Sequence, residues 1–467
     1  MTTNNGITVE MPRGEAVEMQ TDDEAVEHLT NVTSVEPAPP NGGYAWVCTL
    51  CVFLVNSHTW GINSSWAVIM AHYSNESTDL KASHFEYAII GGLSISQALL
   101  CSPVATQCHK HLGMRATMLI GSFIIFVSLL SSSFVTKVWQ LVLAQGMCFG
   151  WGMGFLYITA SSVLPPWFST KRSLAVGLST SGAGIGGLIY SLVTNTAIDR
   201  FGVRWAYRIL AVCALVANVV ASLFLRETGG KAHRVARRDE LRFNPRDFGR
   251  VEVLLVMVWG IATELGYIVL LYSLPSYAAS VGMTPTQGSI ANALLNLGLG
   301  LGRPLVGYFS DTVGRINMAM LMTALCAVFC FALWIPAQGF ALLGAFAVLA
   351  GATCGTFWGT ITPVLVEVVG MKKMAGTFGV VCLSMVLPTT FAEVAAIEMS
   401  VGSDGKDFTS AQVFVAFMFV AGALSMWMLR SWKIFDSETE RPVAPAPRSR
   451  YGVSWLAPRF LFRLWHV

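Results

Sequence analysis

The chain has 467 residues, 54% of them hydrophobic and 12% charged, with a net charge of +3. Soluble domains carry about 25% charged residues, so this chain lacks the charge to cover a water-facing surface, and an ordinary soluble protein is excluded. Nothing in the charge balance supports a nucleic-acid partner.

Residues 1 to 40 hold eight acids (Glu10, Glu15, Glu18, Asp22, Asp23, Glu24, Glu27 and Glu36) against one base, Arg13, with few large apolar residues. This reads as a disordered acidic tail, taken as 1–43, with no cleavable signal peptide. From Tyr44 onward, apolar runs near the 20 residues that cross a bilayer core recur with short polar breaks. Spans are expected at 44–70, 86–107, 115–134, 138–162, 174–195 and 205–225, then at 251–273, 287–309, 316–335, 339–362, 374–398 and 409–432. The fold class is therefore an all-α membrane protein of twelve transmembrane helices. Its expected parts are a bundle at 44–225, a basic linker at 226–250, a second bundle at 251–432 and a tail at 433–467.

With twelve spans both termini share one side. The loops of that side hold Lys110, Arg115, Lys171, Arg172, Arg315, Lys372 and Lys373, and the linker adds Arg226, Lys231, Arg234, Arg237, Arg238, Arg242, Arg246 and Arg250. The opposite loops hold Lys81, Lys137, Arg200, Arg204 and Lys406. Such a bias places both termini in the cytoplasm. Of the sequons, Asn31 would then be cytoplasmic and Asn63 lies within a span, so Asn75, in an outer loop, is the expected glycosylation site. The plasma membrane is the expected location, with a vacuolar or other internal membrane as alternatives.

An internal repeat divides the chain. Leu112-Gly113 before the third span matches Val313-Gly314 before the ninth, and Lys171-Arg172 matches Lys372-Lys373, both at an offset of 201. Gly146, Gly150 and Gly154 echo Gly351, Gly355 and Gly359 at an offset of 205. Duplicated halves around a midplane site are the architecture of many secondary transporters.

The ten cysteines fall in or at the ends of apolar runs without a CxxC pair or a His/Cys cluster, which points to packing, with no metal and no disulfide frame. Gly182-Ala183-Gly184-Ile185-Gly186-Gly187 lies mid-span without a preceding strand, so it reads as helix packing and not as a dinucleotide loop. No GxxxxGK(S/T) occurs, and no cofactor, nucleotide or enzymatic activity is expected.

Ionisable residues inside spans are expensive and carry the functional hypothesis first. They are His58, Glu264, Arg303, Glu393 and Glu398, the last near an outer end. Arg303 could grip a carboxylate through two parallel hydrogen bonds, or form a structural ion pair with Glu264 or Glu393. Glu264, and with it Glu393, is a candidate for proton coupling, with a packing acid as the alternative for Glu264. His58, with Asn63 and Ser64 nearby, lines the central cavity or packs as a satisfied histidine.

Gly307-Tyr308-Phe309-Ser310-Asp311-Thr312-Val313-Gly314-Arg315 reads GxxxDxxGR, with Asp311 and Arg315 able to pair at the membrane surface. It resembles the signature loop of the major facilitator superfamily. The first-half copy, Cys108-His109-Lys110-His111-Leu112-Gly113-Met114-Arg115, lacks the acid matching Asp311.

Two further segments resemble the monocarboxylate porter family in its fungal form. These are Asn41-Gly42-Gly43-Tyr44-Ala45-Trp46 before the first span and Trp167-Phe168-Ser169-Thr170-Lys171-Arg172-Ser173-Leu174-Ala175-Val176-Gly177-Leu178 before the fifth. The resemblance covers residues 41–432 and implies two pseudo-symmetric six-helix bundles working by alternating access. It implies a cavity built from the first, fourth, fifth, seventh, eighth and tenth spans, and gating by Gly307, Asp311, Gly314, Arg315, Lys171 and Arg172. In that family the arginine matching Arg303 is thought to hold the substrate carboxylate.

Two departures stand out. Ser64 lies near the place of a first-span lysine, and Leu299 replaces an aspartate one turn before Arg303, so short monocarboxylates do not follow. The expected partners are a small anionic organic solute, protons and the lipid bilayer. The expected activity is secondary transport, by symport or by efflux of a secondary metabolite or import of a vitamin-like solute. A non-transporting membrane receptor is the reading from another class.

Overall fold

The computed structural model describes residues 41–73, 84–228, 245–401 and 408–439. The sequon at Asn75 lies outside them, as do much of the acidic tail and the basic linker. The backbone of Glu393 and Glu398 is described but their side chains are not.

Among the described residues the chain is helical, in twelve consecutive bodies. In the first half α1 comprises Tyr44–His58, Trp60–Ser64 and Trp66–Tyr73, and α2 comprises His84–Leu100 and Ser102–Leu112. Then come α3 (Met114–Ser132), α4 (Val138–Leu141, a π segment Val142–Cys148 and Phe149–Val163), α5 (Arg172–Phe201) and α6 (Val203–Phe224). The second half runs α7 (Val251–Ser280), α8 (Pro285–Val313) and α9 (Arg315–Phe329 with a π segment Cys330–Trp334). It ends with α10 (Phe340–Cys354 and Thr356–Val369), α11 (Met371–Ser384 and Val386–Val401) and α12 (Thr409–Thr439).

All twelve coincide with the expected spans, though α2, α5, α7, α8, α10 and α12 outrun them by several residues. An apolar run marks what the bilayer must bury, while the backbone keeps its hydrogen bonds by continuing the helix beyond it. Nine of the helices are long and apolar enough to cross a membrane, and eleven are when each of the bent pairs in α2 and α11 is one span. The twelfth, α8, is long enough but carries Gln287, Asn292, Asn296, Arg303 and five glycines. Its polarity is the first structural sign of where the site lies.

The helices have local reasons to start and bend where they do. Thr284 and Gln287 form a reciprocal cap at the start of α8, with Pro285 at the first helical position. In α2 the chain bends by 42° at Cys101, where Pro103 restarts the helix. Gly113 and Gly314, related by the 201-residue offset, both take positive φ (87° and 103°) at the turns into α3 and α9, a conformation that disfavours residues with a side chain.

Packing inverts the pattern of a soluble protein. On α6, Val212, Val216, Val220 and Leu223 are exposed while Tyr207, Ala211, Ala214, Asn218 and Ala221 are buried. The large apolar face meets lipid and the small residues meet protein, as close helix approach in a membrane requires. The repeated glycines act alike in both halves. Gly150 and Gly154 of α4 lie against the backbone of α2 at Ser94 and Ala98, and Gly351 and Gly355 of α10 lie against α8 at Leu295 and Leu299.

The halves meet along α5 with α8 and α2 with α11. In the run from Gly182 to Gly187, Gly182 and Gly186 receive α1 at Phe53 and Ser57, while Gly184 receives α8 at Gly300. Ser102 of α2 donates to the Gly379 carbonyl of α11 (3.2 Å).

Candidate functional site

At mid-depth, where α8 crosses α5 and α10, lies a cavity of about 30 Å³, room for about two water molecules. Asn56, Trp60, Asn63 and Ser64 of α1 line it, with Ile95 of α2, Tyr157 of α4 and Ala183 of α5. The second half contributes Glu264, Tyr267 and Leu271 of α7, Asn296, Leu299 and Arg303 of α8, and Trp358 of α10. Three of the sequence-predicted binding residues, Arg303, Glu264 and Asn63, therefore share one lining. His58 stands outside it. Its Nδ1 is 2.8 Å from the Leu54 carbonyl one turn back, and its ring packs edge-on against Tyr190 of α5.

Arg303 is buried at 4% exposure. Its Nη1 donates to the Thr180 carbonyl of α5 (2.6 Å), so the guanidinium spans the two halves. Gly355 of α10 makes room for it, because a β-carbon there would stand 2.8 Å from Nε and 3.1 Å from Nη2. Pro304 beside it removes one helical hydrogen bond and loosens the backbone.

Glu264 is 1% exposed, and its Oε2 accepts from Trp358 Nε1 at 2.8 Å. Arg303 and Glu264 form no direct ion pair although they line the same cavity. The structural pairing weighed for them is thus absent between these two described residues.

Four buried polar atoms of this lining have no hydrogen-bond partner: Trp60 Nε1, Glu264 Oε1, Asn296 Oδ1 and Arg303 Nε. Leaving a buried donor or acceptor unpaired costs about 1–3 kcal/mol, and native interiors keep few such groups. Two such donors and two such acceptors belong to the lining of this one cavity.

Three aromatic rings of the lining, drawn from both halves, pack on one another. Trp60, Tyr157 and Trp358 form a triangle with centroid separations of 5.4, 5.6 and 5.6 Å, and Phe378 of α11 adds to Tyr157 at 6.2 Å. Sequence reasoning missed Trp60, Tyr157, Trp358 and Asn296. Asn292, Asn296 and Arg303 fall at helical spacing on α8, a polar stripe that could have flagged Asn296. The rings carried no such signal among 14 tryptophans and 27 phenylalanines.

On the side where residue 44 lies, the two loops proposed as gates touch. Asp311 Oδ1 accepts from the backbone of Ser173 (3.0 Å) and Oδ2 from that of Leu174 (3.0 Å). The carboxylate thereby caps the first turn of α5 from the other half. Arg315 sits 3.7 Å from Asp311 and 3.9 Å from Glu367, and its Nε donates to Ser173 Oγ (3.3 Å). Gly307 lies against the Ser173–Leu174 backbone, and Gly314 supplies the turn. Arg172 is buried and donates from Nε to the carbonyls of Pro165 and Phe168 (3.0 Å each), while Lys171 is exposed.

The two segments that carried the porter resemblance dock on one another. Asn41 Oδ1 accepts from the Ser169 backbone (2.7 Å), Tyr44 and Trp46 pack on Trp167 and Phe168, and Arg226 lies 4.4 Å above the Tyr44 ring. In the first-half copy of the signature loop, His109 Nε2 meets Glu227 at 2.8 Å, a contact to the end of α6 instead of to the other half.

Residues 45–385 match the sequence profile of the Major Facilitator Superfamily. The probable transporter MCH2 of Saccharomyces cerevisiae is 33% identical over 417 residues, covering 88% of each chain. The uncharacterized transporter ESBP6 of the same yeast is 34% identical over 413 residues, 86% of this chain and 61% of its own length. The MFS-type transporter opdF of Penicillium oxalicum is 27% identical, covering 84% of this chain and 92% of its own. Among solved structures, the proton:xylose symporter XylE shares the fold with a TM-score of 0.67 at 15% identity, over 82% of this chain and 95% of its own. Helical architecture, sequence profile and relatives agree that the chain is a multi-pass membrane transporter belonging to the Major Facilitator Superfamily.

Proposed function

We propose that the protein is a secondary active, alternating-access transporter of a small carboxylate-bearing organic solute, with its termini in the cytoplasm and a proton as the coupling ion. The observation that carries this reading is the convergence of Arg303 and Glu264, each with an unpaired polar atom, on one cavity at the junction of the two halves. A guanidinium offers a carboxylate a planar pair of donors and never loses its charge. A carboxyl at that depth can take up a proton as the cavity opens to one side and release it to the other.

A cavity of about 30 Å³ is too small for an organic solute, and entry would require Trp60, Tyr157 and Trp358 to part. Arg303 would then exchange the Thr180 carbonyl for the solute. Loss of that contact between α5 and α8 is a direct way for binding to loosen one half from the other.

The test is flux into proteoliposomes of the full chain, screened over organic acids with and without a pH gradient. Arg303→Lys keeps the charge but loses the planar fork. It is expected to reduce anion transport about tenfold or more while the protein still reaches the membrane. Unchanged flux in that variant removes Arg303 from the mechanism.

A further inference from the structure

The orphaned atoms of the cavity are matched in number, two donors and two acceptors, and a plain carboxylate does not answer to that pattern. An ionised carboxylate only accepts hydrogen bonds. It can take up Arg303 Nε and Trp60 Nε1, but it leaves the buried Asn296 Oδ1 unpaired.

Asn296 is the informative member because its amide has one reading. Its Nδ2 already donates to the Asn292 carbonyl one turn back (3.0 Å), so the oxygen is the atom left over. The residue is 2% exposed, on the same helix as Arg303 and seven positions before it. Gly187 of α5 leaves the oxygen space, since a β-carbon there would stand 2.7 Å from Oδ1. Glu264 Oε1 gives a different signal, because a carboxyl that carries a proton switches between acceptor and donor. Asn296 cannot switch.

We propose, on the reading of the preceding section, that the solute bears a hydroxyl or amine donor in addition to its acidic group, and that Asn296 Oδ1 reads that donor while Arg303 holds the acid. The substrate class is then a hydroxy or amino acid, and its deoxy analogue is rejected at Asn296. Rejection follows from desolvation: an analogue without the donor strips water from Asn296 Oδ1 and gives nothing back. That is worth about ten- to a hundredfold in affinity.

The experiment measures ligand-induced thermal stabilisation of the purified full-length protein with acid pairs that differ by one hydroxyl. The pairs are lactate and propionate, malate and succinate, mandelate and phenylacetate, each titrated to give a dissociation constant. The hydroxylated member of the pair the protein binds should be preferred by about tenfold or more. Asn296→Ala should bring that ratio close to one, and Asn296→Asp, which keeps an acceptor at the same place, should retain the preference. Arg303→Lys should weaken both members alike and leave the ratio intact.

Equal affinity for the two members in wild type, or a ratio that survives Asn296→Ala, overturns the assignment while the carboxylate reading stands. Binding of neither member of any pair, or full binding of both in Arg303→Lys, overturns the carboxylate reading itself.

Discussion

Asp311→Asn is the sharpest perturbation of the contact that joins the two halves on the side where residue 44 lies. The native carboxylate is 10% exposed and makes two hydrogen bonds of 3.0 Å to the free N–H groups of Ser173 and Leu174 at the start of α5. An amide oxygen can hold one of them, without charge, and its NH2 faces a donor. Charge-assisted bonds contribute about 1.5–3 kcal/mol each, and a negative charge at a helix N-terminus adds about 0.3–1 kcal/mol. Losing one bond, weakening the other and removing the charge should cost the joined form about 2–4 kcal/mol. That corresponds to a shift of about 30- to 700-fold in the opening equilibrium.

The amides of Ser173 and Leu174 report it directly, since the Asp311 carboxylate is their acceptor. Hydrogen exchange followed by mass spectrometry on the peptide spanning residues 168–180 should speed up by a comparable factor, with Lys171→Ala, at an exposed position, unchanged. Protection within about twofold of wild type in Asp311→Asn would refute the latch and the arithmetic behind it.

Other expectations follow from the same geometry. Gly355→Ala places a β-carbon 2.8 Å from Arg303 Nε, and should weaken solute binding about as much as Arg303→Lys, read as an increased KM in the flux assay. Glu264→Gln keeps an oxygen to accept from Trp358 Nε1 but cannot carry a proton. Uphill uptake driven by a pH gradient should vanish while solute exchange across equal pH persists, and retained uphill uptake would exclude Glu264 as the coupling acid. Asn41→Ala removes the acceptor for Ser169 and puts alanine at φ 51°. Melting followed by intrinsic fluorescence should show a loss of about 1–2 kcal/mol.

The fold was legible because the bilayer leaves few options. Twelve apolar runs imply twelve helices, α8 among them despite its polar residues. Arg303, Glu264 and Asn63 were legible for a related reason, since polar groups are costly within a span and stand out against Leu and Val. His58 stood out equally, yet the Leu54 carbonyl and the Tyr190 ring hold it elsewhere, and which face of α1 turns inward is a matter of packing.

The same limit hid Trp60 and Trp358, whose apolar bodies suit lipid, core and cavity alike. Nor does spacing show that Asn41 holds Ser169, 128 positions away. That contact belongs to two helix ends brought side by side by the whole bundle. The repeat exposed the glycine slots of α4 and α10 but concealed how the signature loops diverged, one to Ser173 and Leu174, the other to Glu227.

Along the junction of α5 and α8 the close approaches fall at Gly177, Gly184, Gly300 and Gly307, seven residues apart on each helix. Where side chains interdigitate, two helices cannot shift without lifting every knob from its hole, so motion is a series of jumps. Bare backbone offers no teeth. At these points the junction resembles a plain bearing for small sliding or tilting, interrupted by the Ile185 side chain against Gly300 and by Asn296 against Gly187, with the polar contacts at Thr180 and Asp311 as detents. A β-carbon added midway, as in Gly184→Ala, would stand 2.5 Å from the Gly300 nitrogen and wedge the helices apart at the place where they must stay smooth.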